Sequence, residues 1–338
     1  MSRRRVRSWV DVVIGWIDRV PGPAWLAYGA LVVLSVALNT IPRLLDGADI
    51  DALTIAFAAL TFTPFVVLHA TATASRRALA EFRPALGELD SEYDDLERRL
   101  ATTSPVGAGV SAVVGVAIVA GGALSVRGGW GIAAGNSIAT NAVTIVQEVI
   151  LNAALLTFLL HQVGAVRTIA RIHRDATNIV LWNTRPHTAF ARVTVVAAIA
   201  IVVLYVTAAV GSALTTDNPA IAAVLAVLAL AIATAAFAGP LVGMRRRLVR
   251  ERDRQLGETD RVFEEVATRL RADVDAGELE AAARLEGVVS ALVSERERLR
   301  KVSTWPWSAG TLRAFLTSLG VPIVLWLVTT LLGRLLFP

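Results

Sequence analysis

The 338-residue chain is 55% hydrophobic and 18% charged, with a mean hydropathy of +0.59. That excludes an ordinary water-soluble globule, which is about 45–50% apolar and about 25% charged, and it excludes a disordered chain. The net charge of +5 is carried almost wholly by arginine, since Lys301 is the single lysine, and the lack of cysteine removes disulfides, thiol catalysis and cysteine-ligated metals.

The segment 1–23 opens with Arg3, Arg4 and Arg5. Trp9, Val12, Val13, Trp16, Ile17 and Val20 then recur at helical spacing, with Arg7, Asp11, Asp18 and Arg19 opposite. This predicts an amphipathic helix in the membrane interface, with tryptophans at headgroup depth and arginines against anionic lipid. Trp16, Asp18 and Pro21 interrupt any signal-peptide core, so cleavage is not expected.

Seven windows are long and apolar enough to span a bilayer: 24–41, 52–70, 106–124, 142–163, 193–214, 218–240 and 314–333. They predict an all-α, polytopic transmembrane helix bundle. Spans 1 and 2 fall in 24–70, spans 3 and 4 in 106–163, spans 5 and 6 in 193–240, and span 7 in 314–338. Pro64, Pro240 and Pro322 are tolerated because neighbouring groups re-satisfy the freed carbonyls. Of the 33 Lys+Arg residues, 30 fall in 1–23, 71–105, 164–192 and 241–313. The positive-inside rule then places those segments in the cytoplasm, the N-terminus inside and the C-terminus outside.

The excursion 71–105 carries Leu86, Leu89, Tyr93, Leu96 and Leu100 at 3-4-3-4 spacing, with Pro84 and Gly87 keeping it short. The excursion 241–313 carries Leu256, Thr259, Phe263, Val266, Leu270 and Val274, a break at Gly277, then Ala282, Leu285, Val289, Leu292 and Leu299. Apolar residues every 3.5 positions predict antiparallel coiled-coil hairpins. Both excursions return through similar segments, 102–109 and 303–310, each with a proline among small residues. The plan of hairpin, excursion and return occurs twice, as a parallel internal repeat would require.

In span 3, Gly107, Ser111 and Gly115 are four apart, the spacing of a close helix-packing face, within one chain or between subunits. The glycine-rich stretch 127–137 is expected to be an external connector. In span 4, Asn141, Thr144, Glu148, Asn152 and Gln162 fall on one narrow stripe, with Gln147 to one side. Such a stripe fits the lining of an ion or small-solute path, with Glu148 as cation ligand or proton carrier. It also fits interhelical hydrogen bonding, or a Glu148 near the outer headgroups.

The histidines, His69, His161, His173 and His187, show no metal-site spacing. No phosphate loop, nucleophile elbow or kinase motif occurs, and no lysine lies in a span to hold retinal. No catalytic, cofactor-binding or metal residue is therefore assigned, no cofactor is expected, and the chain does not read as an enzyme. The run Arg245, Arg246, Arg247, Arg250, Arg252 and Arg254 is followed by acids, which argues against a nucleic-acid surface.

Two function classes remain. One is an ion channel or small-solute transporter lined by span 4. The other is a membrane-embedded sensor or scaffold acting on a cytoplasmic protein through 244–302. The first expects Glu148 and Asn152 to face a hydrated cavity. The second expects them buried, with an unpaired apolar stripe on the hairpin. The narrowness of the stripe favours the first. Under either, the partner is the lipid bilayer, and the small-residue face and heptads are compatible with a homo-oligomer. Arginine in place of lysine points to a GC-rich bacterial genome, and hence a multi-pass protein of the plasma (inner) membrane.

Overall fold

A computed structural model describes residues 7–47, 50, 52–125, 137–177, 181, 184–213 and 219–320. Every regular element among them is a helix. These are α1 (Trp9–Ile17), α2 (Ala24–Leu45), α3 (Ala52–Leu60), α4 (Thr63–Leu86), a 3-10 turn (Gly87–Glu92), α5 (Tyr93–Ala101) and α6 (Pro105–Ser125). They continue with α7 (Ile138–Asp175), α8 (Thr184–Ala213), α9 (Pro219–Asp275), α10 (Leu279–Lys301) and α11 over 309–320.

Five described stretches are long and apolar enough to cross a bilayer: Ala24–Leu45, Thr54–Gly121, Ile138–Asp175, Pro186–Tyr205 and Val227–Asp275. They are compatible with an integral membrane protein. The stretch Thr54–Gly121 takes in two of the sequence windows, 52–70 and 106–124. Most of the last window, 314–333, and of the 127–137 connector lie outside the described residues.

The window 52–70 reads as one apolar run, but the chain breaks it at 61–62 into α3 and α4. Pro64 sits in the first turn of α4, where its missing N–H removes no helical hydrogen bond. The break orphans carbonyls at the end of α3. Thr61 Oγ1 donates to the Phe57 carbonyl (3.2 Å), and Ser35 Oγ of α2 donates to the Ala58 carbonyl (2.7 Å).

α1 is capped by Ser8, whose side chain accepts from the Asp11 N–H (3.0 Å). Val10 and Ile17 are buried against the bundle. Trp9 donates from Nε1 to the Ala108 carbonyl of α6 (3.1 Å) and meets Phe65 edge-on, whereas Trp16 is 63% exposed. The two tryptophans therefore serve different surroundings, although the sequence pattern put them on one face.

At the arginine-rich end, Leu86, Leu89, Leu96 and Leu100 are buried. They are not the seam of an isolated helix pair. They share one core with Ile169 and Ile172 of α7, Phe190 of α8, Met244 and Leu248 of α9, and Leu299 of α10. The 3-10 turn and α5 fold back against this core, so the excursion stays close to the bundle.

α9 runs 57 residues without a break, about 85 Å at helical rise. Gly277, at φ +79°, turns the chain into α10, which packs back along α9. Thr259, Ala282 and Leu299 are buried; Leu256, Phe263, Val266, Leu270, Leu285, Val289 and Leu292 are half-buried. Arg296 Nε pairs with Asp260 across the two helices (2.8 Å). The chain then re-enters the bundle with Trp305 beneath Arg245 (3.9 Å to the ring centroid) and Phe237 stacked on Phe315 (4.1 Å). Serine side chains cap both returning helices: Ser104 accepts from the Gly107 N–H, and Ser308 from the Thr311 N–H.

Candidate functional site

α7 packs against α2, α4, α5, α6 and α9, so most of its polar groups are enclosed by other helices. Thr144, Glu148 and Gln162 are buried, while Asn141 and Asn152 are half-buried. The stripe is not one continuous polar surface. Thr144 Oγ1 donates to the Thr140 carbonyl (3.0 Å), and Asn152 Nδ2 to the Glu148 carbonyl (2.9 Å), both within α7. The Gln162 amide nitrogen is buried and has no partner among the described residues.

Gln147, off the stripe, is the residue that joins helices. Its Oε1 accepts from Asn39 Nδ2 (2.6 Å), and its Nε2 donates to the Ser35 carbonyl (2.9 Å) and Ser35 Oγ (3.0 Å). Arg43 Nε donates to Asn39 Oδ1 (3.2 Å) at one end of this chain, and Ser35 reaches the α3–α4 break at the other. Ser35, Asn39 and Gln147 are all buried. Each side-chain amide here is satisfied, so this network clasps α2, α7 and the broken span together. The sequence signal for it was weak: Ser35 and Asn39 lie four apart on α2, but nothing local assigns them a partner.

Glu148 is the exception. It is 5% exposed, and no hydrogen bond or ion pair reaches its carboxylate among the described residues. It lies ten residues into α7, about 15 Å along the helix axis. Two cavities flank the region. One, of about 280 Å³ and almost wholly apolar, lies between α2, the α3–α4 break and α7 beside Gln147. The other lies at the arginine-rich end. Neither is lined by Glu148.

The small residues of α6 face α7. A Cβ on Gly115 would stand 2.9 Å from the Ala153 backbone nitrogen, so the two backbones nearly touch there. Ser111 is buried, and Gly107 has only ordinary contacts, the nearest being Ser104 Cβ at 3.5 Å.

The far end of α2 is tied to the start of α7 through Asp46. Its carboxylate accepts from Thr140 Oγ1 (2.6 Å) and the Ser137 N–H (3.0 Å), and Ser137 itself caps α7. Hydrogen bonding from Thr140 first, then Ser137, holds the Asp46 carboxyl below its ordinary value of 3.8. The native state thus keeps the charged form to lower pH than the unfolded chain. The stabilisation is present above the ordinary value and is lost as pH falls through the lowered one. Asp46→Asn is expected to flatten this acid-side loss. Unfolding midpoints between pH 7 and pH 3 check it; identical slopes in the two proteins would discard the role.

Two of the histidines have different partners. His69 pairs with Asp18 (3.2 Å), and His173 Nδ1 donates to the Pro240 carbonyl (3.0 Å). Arg247 caps the end of α7 by donating to the His173 and Arg174 carbonyls (2.9 and 2.7 Å). Among the described residues no three His, Cys, Asp or Glu side chains gather as a metal site would need. No family model, no curated protein and no solved structure matches this chain.

Proposed function

We propose that the protein is a membrane transport protein that moves a proton or small cation, with Glu148 as the group that binds it. The observation that carries this is a buried carboxylate, within an apolar window, that no hydrogen bond or ion pair reaches among the described residues. Placing a carboxylate there costs about 2.5–3.5 kcal/mol on insertion scales. A residue that glues helices recovers this cost through hydrogen bonds, as Gln147 does. Among the described residues Glu148 has none, and on this reading its partner is one that arrives and leaves. The α3–α4 break supports the same reading, because non-helical backbone at membrane depth is typical of transport paths. Glu148 is buried and lines neither cavity, which is what the sensor or scaffold reading expects; on the transport reading, passage requires a hydrated path to open to it. The arginine distribution supports an inward N-terminus and a bacterial plasma-membrane location.

The test is flux in proteoliposomes of the full chain under an imposed H⁺, Na⁺ or K⁺ gradient. Wild type should conduct one of these above empty vesicles, and Glu148→Gln should lower that flux at least about tenfold. Equal flux in the variant, or no flux of any of the three, would overturn the reading.

A second reading, a sensor or scaffold, is favoured by α9. It continues unbroken from the apolar bundle into the hairpin with α10, so a shift in one is carried to the other. Val262, Val274, Leu279, Val288 and Val293 are exposed along that hairpin. Under this reading Glu148→Gln leaves function unchanged, and deletion of 256–299 removes it.

A further inference from the structure

Where α5 hands over to α6, a groove of about 460 Å³ opens between the turn 102–105, the first turn of α6 and the adjoining turns of α7. Its lining includes Arg98 and Arg99 of α5 and Arg167 of α7. Asp95 serves both Arg98 (2.5 Å) and Arg99 (2.6 Å), so two guanidinium groups share one carboxylate. Asp11, the other nearby acid, accepts from the Thr103 N–H (3.2 Å). Arg167 is exposed and has no ion pair or hydrogen bond among the described residues. Three cations against two committed carboxylates leave the lining positive.

The groove is open because two of its positions are glycine. A Cβ on Gly164 would meet nothing within 4 Å, and one on Gly107 would meet only Ser104 and Leu160 at ordinary distances. Along the membrane-facing side, Val106 (77%), Val110 (53%), Leu160 (51%) and Val163 (48%) are exposed. These side chains belong to the two apolar windows that enter the bilayer here. The surface is therefore cationic at the level where α6 begins and apolar immediately beyond it.

We propose that this groove is a binding site for an anionic phospholipid. Arg98, Arg99 and Arg167 hold the headgroup phosphate, and the acyl chains lie along Val106, Val110 and Leu160. Guanidinium forks match phosphate oxygens in charge and in geometry. A free phosphate offers the same oxygens, but it has no use for the apolar wall, and that wall assigns the occupant to lipid. The site is independent of Glu148, which lies about 28 Å away along α7.

The experiment is native mass spectrometry of the full-length protein, delipidated in mild detergent and titrated with phosphatidylglycerol or phosphatidylcholine. Wild type should retain one phosphatidylglycerol and discriminate against phosphatidylcholine. Arg167→Gln should weaken retention about fivefold, the effect of one arginine near an anionic lipid surface. Gly164→Leu, which fills the groove and leaves the charges in place, should weaken it as well. Arg250→Gln, a change on exposed α9, should not, and it controls for general loss of charge. Equal retention of the two lipids by wild type, or unchanged retention in both groove variants, would overturn the proposal. Displacement of bound lipid by millimolar inorganic phosphate would reassign the site to a free anion and overturn the lipid identity.

Discussion

Gly115→Leu is expected to separate α6 from α7 and to leave little folded protein in mild detergent. The cause is the 2.9 Å between a Cβ at this position and the Ala153 backbone nitrogen, with Ala153 Cα and Cβ only 3.2 Å away. The obstacle is helix backbone, which cannot rotate aside as a long side chain would. Even Gly115→Ala must push the helices apart, at about 1–3 kcal/mol for overpacking. Glycine elsewhere on the same helix gives the contrast. A Cβ on Gly109 meets nothing within 4 Å, so Gly109→Ala should be neutral or stabilise by up to about 1 kcal/mol through helix propensity. Unfolding in detergent followed by tryptophan fluorescence measures both. A Gly115→Ala protein with the wild-type midpoint would show that the close approach carries no energy.

Phe82→Ala is expected to cost about 3–5 kcal/mol, the usual range for truncating a buried aromatic. Phe82 is fully buried on α4, with its ring 5.9 Å from His173 of α7 and 5.2 Å from Phe190 of α8. His173 and Phe190 meet edge-on at 5.3 Å. Three helices thus meet in one aromatic cluster, and truncation leaves a cavity that none of them can fill alone. Phe82→Leu should recover much of the loss, because it restores volume without the ring contacts. The same unfolding assay applies, and a loss below about 1 kcal/mol for Phe82→Ala would mean that the cluster relaxes around the gap.

Several features were legible from residues alone. The windows 24–41, 106–124 and 142–163 fall within α2, α6 and α7, the described parts of 193–214 and 218–240 within α8 and α9, and Gly277 marks the turn between α9 and α10. The heptad positions on either side of that turn are buried or half-buried except Val274, which is 50% exposed next to the turn. The break in the window 52–70 was half-legible: Pro64 marks the start of α4, yet the run of hydrophobicity around it hides the interruption. The polar stripe of α7 was misleading in one respect. Polar periodicity grouped Glu148 with Asn152 and left Gln147 aside, whereas Asn152 bonds to its own helix and Gln147 bonds to two residues of α2. Periodicity reports which side chains share a face; it says nothing of what the neighbouring helix offers them.

The sequence by itself determined windows apolar and long enough to cross a bilayer, the turn at Gly277 and the segregation of arginine to one set of segments. All of these depend on local quantities: about 20 apolar residues to cross a bilayer, the 3.6-residue helical period and the count of charge per loop. Only the tertiary structure decided which polar groups are satisfied. The partners of Gln147 lie 108 and 112 residues away in the chain, and the contact that makes Gly115 indispensable is with a different helix. Hydrogen bonds and close packing act over a few ångströms of space whatever the separation along the chain. For that reason the distinction between Gln147, which is held, and Glu148, which has no partner among the described residues, appears only once the helices are assembled.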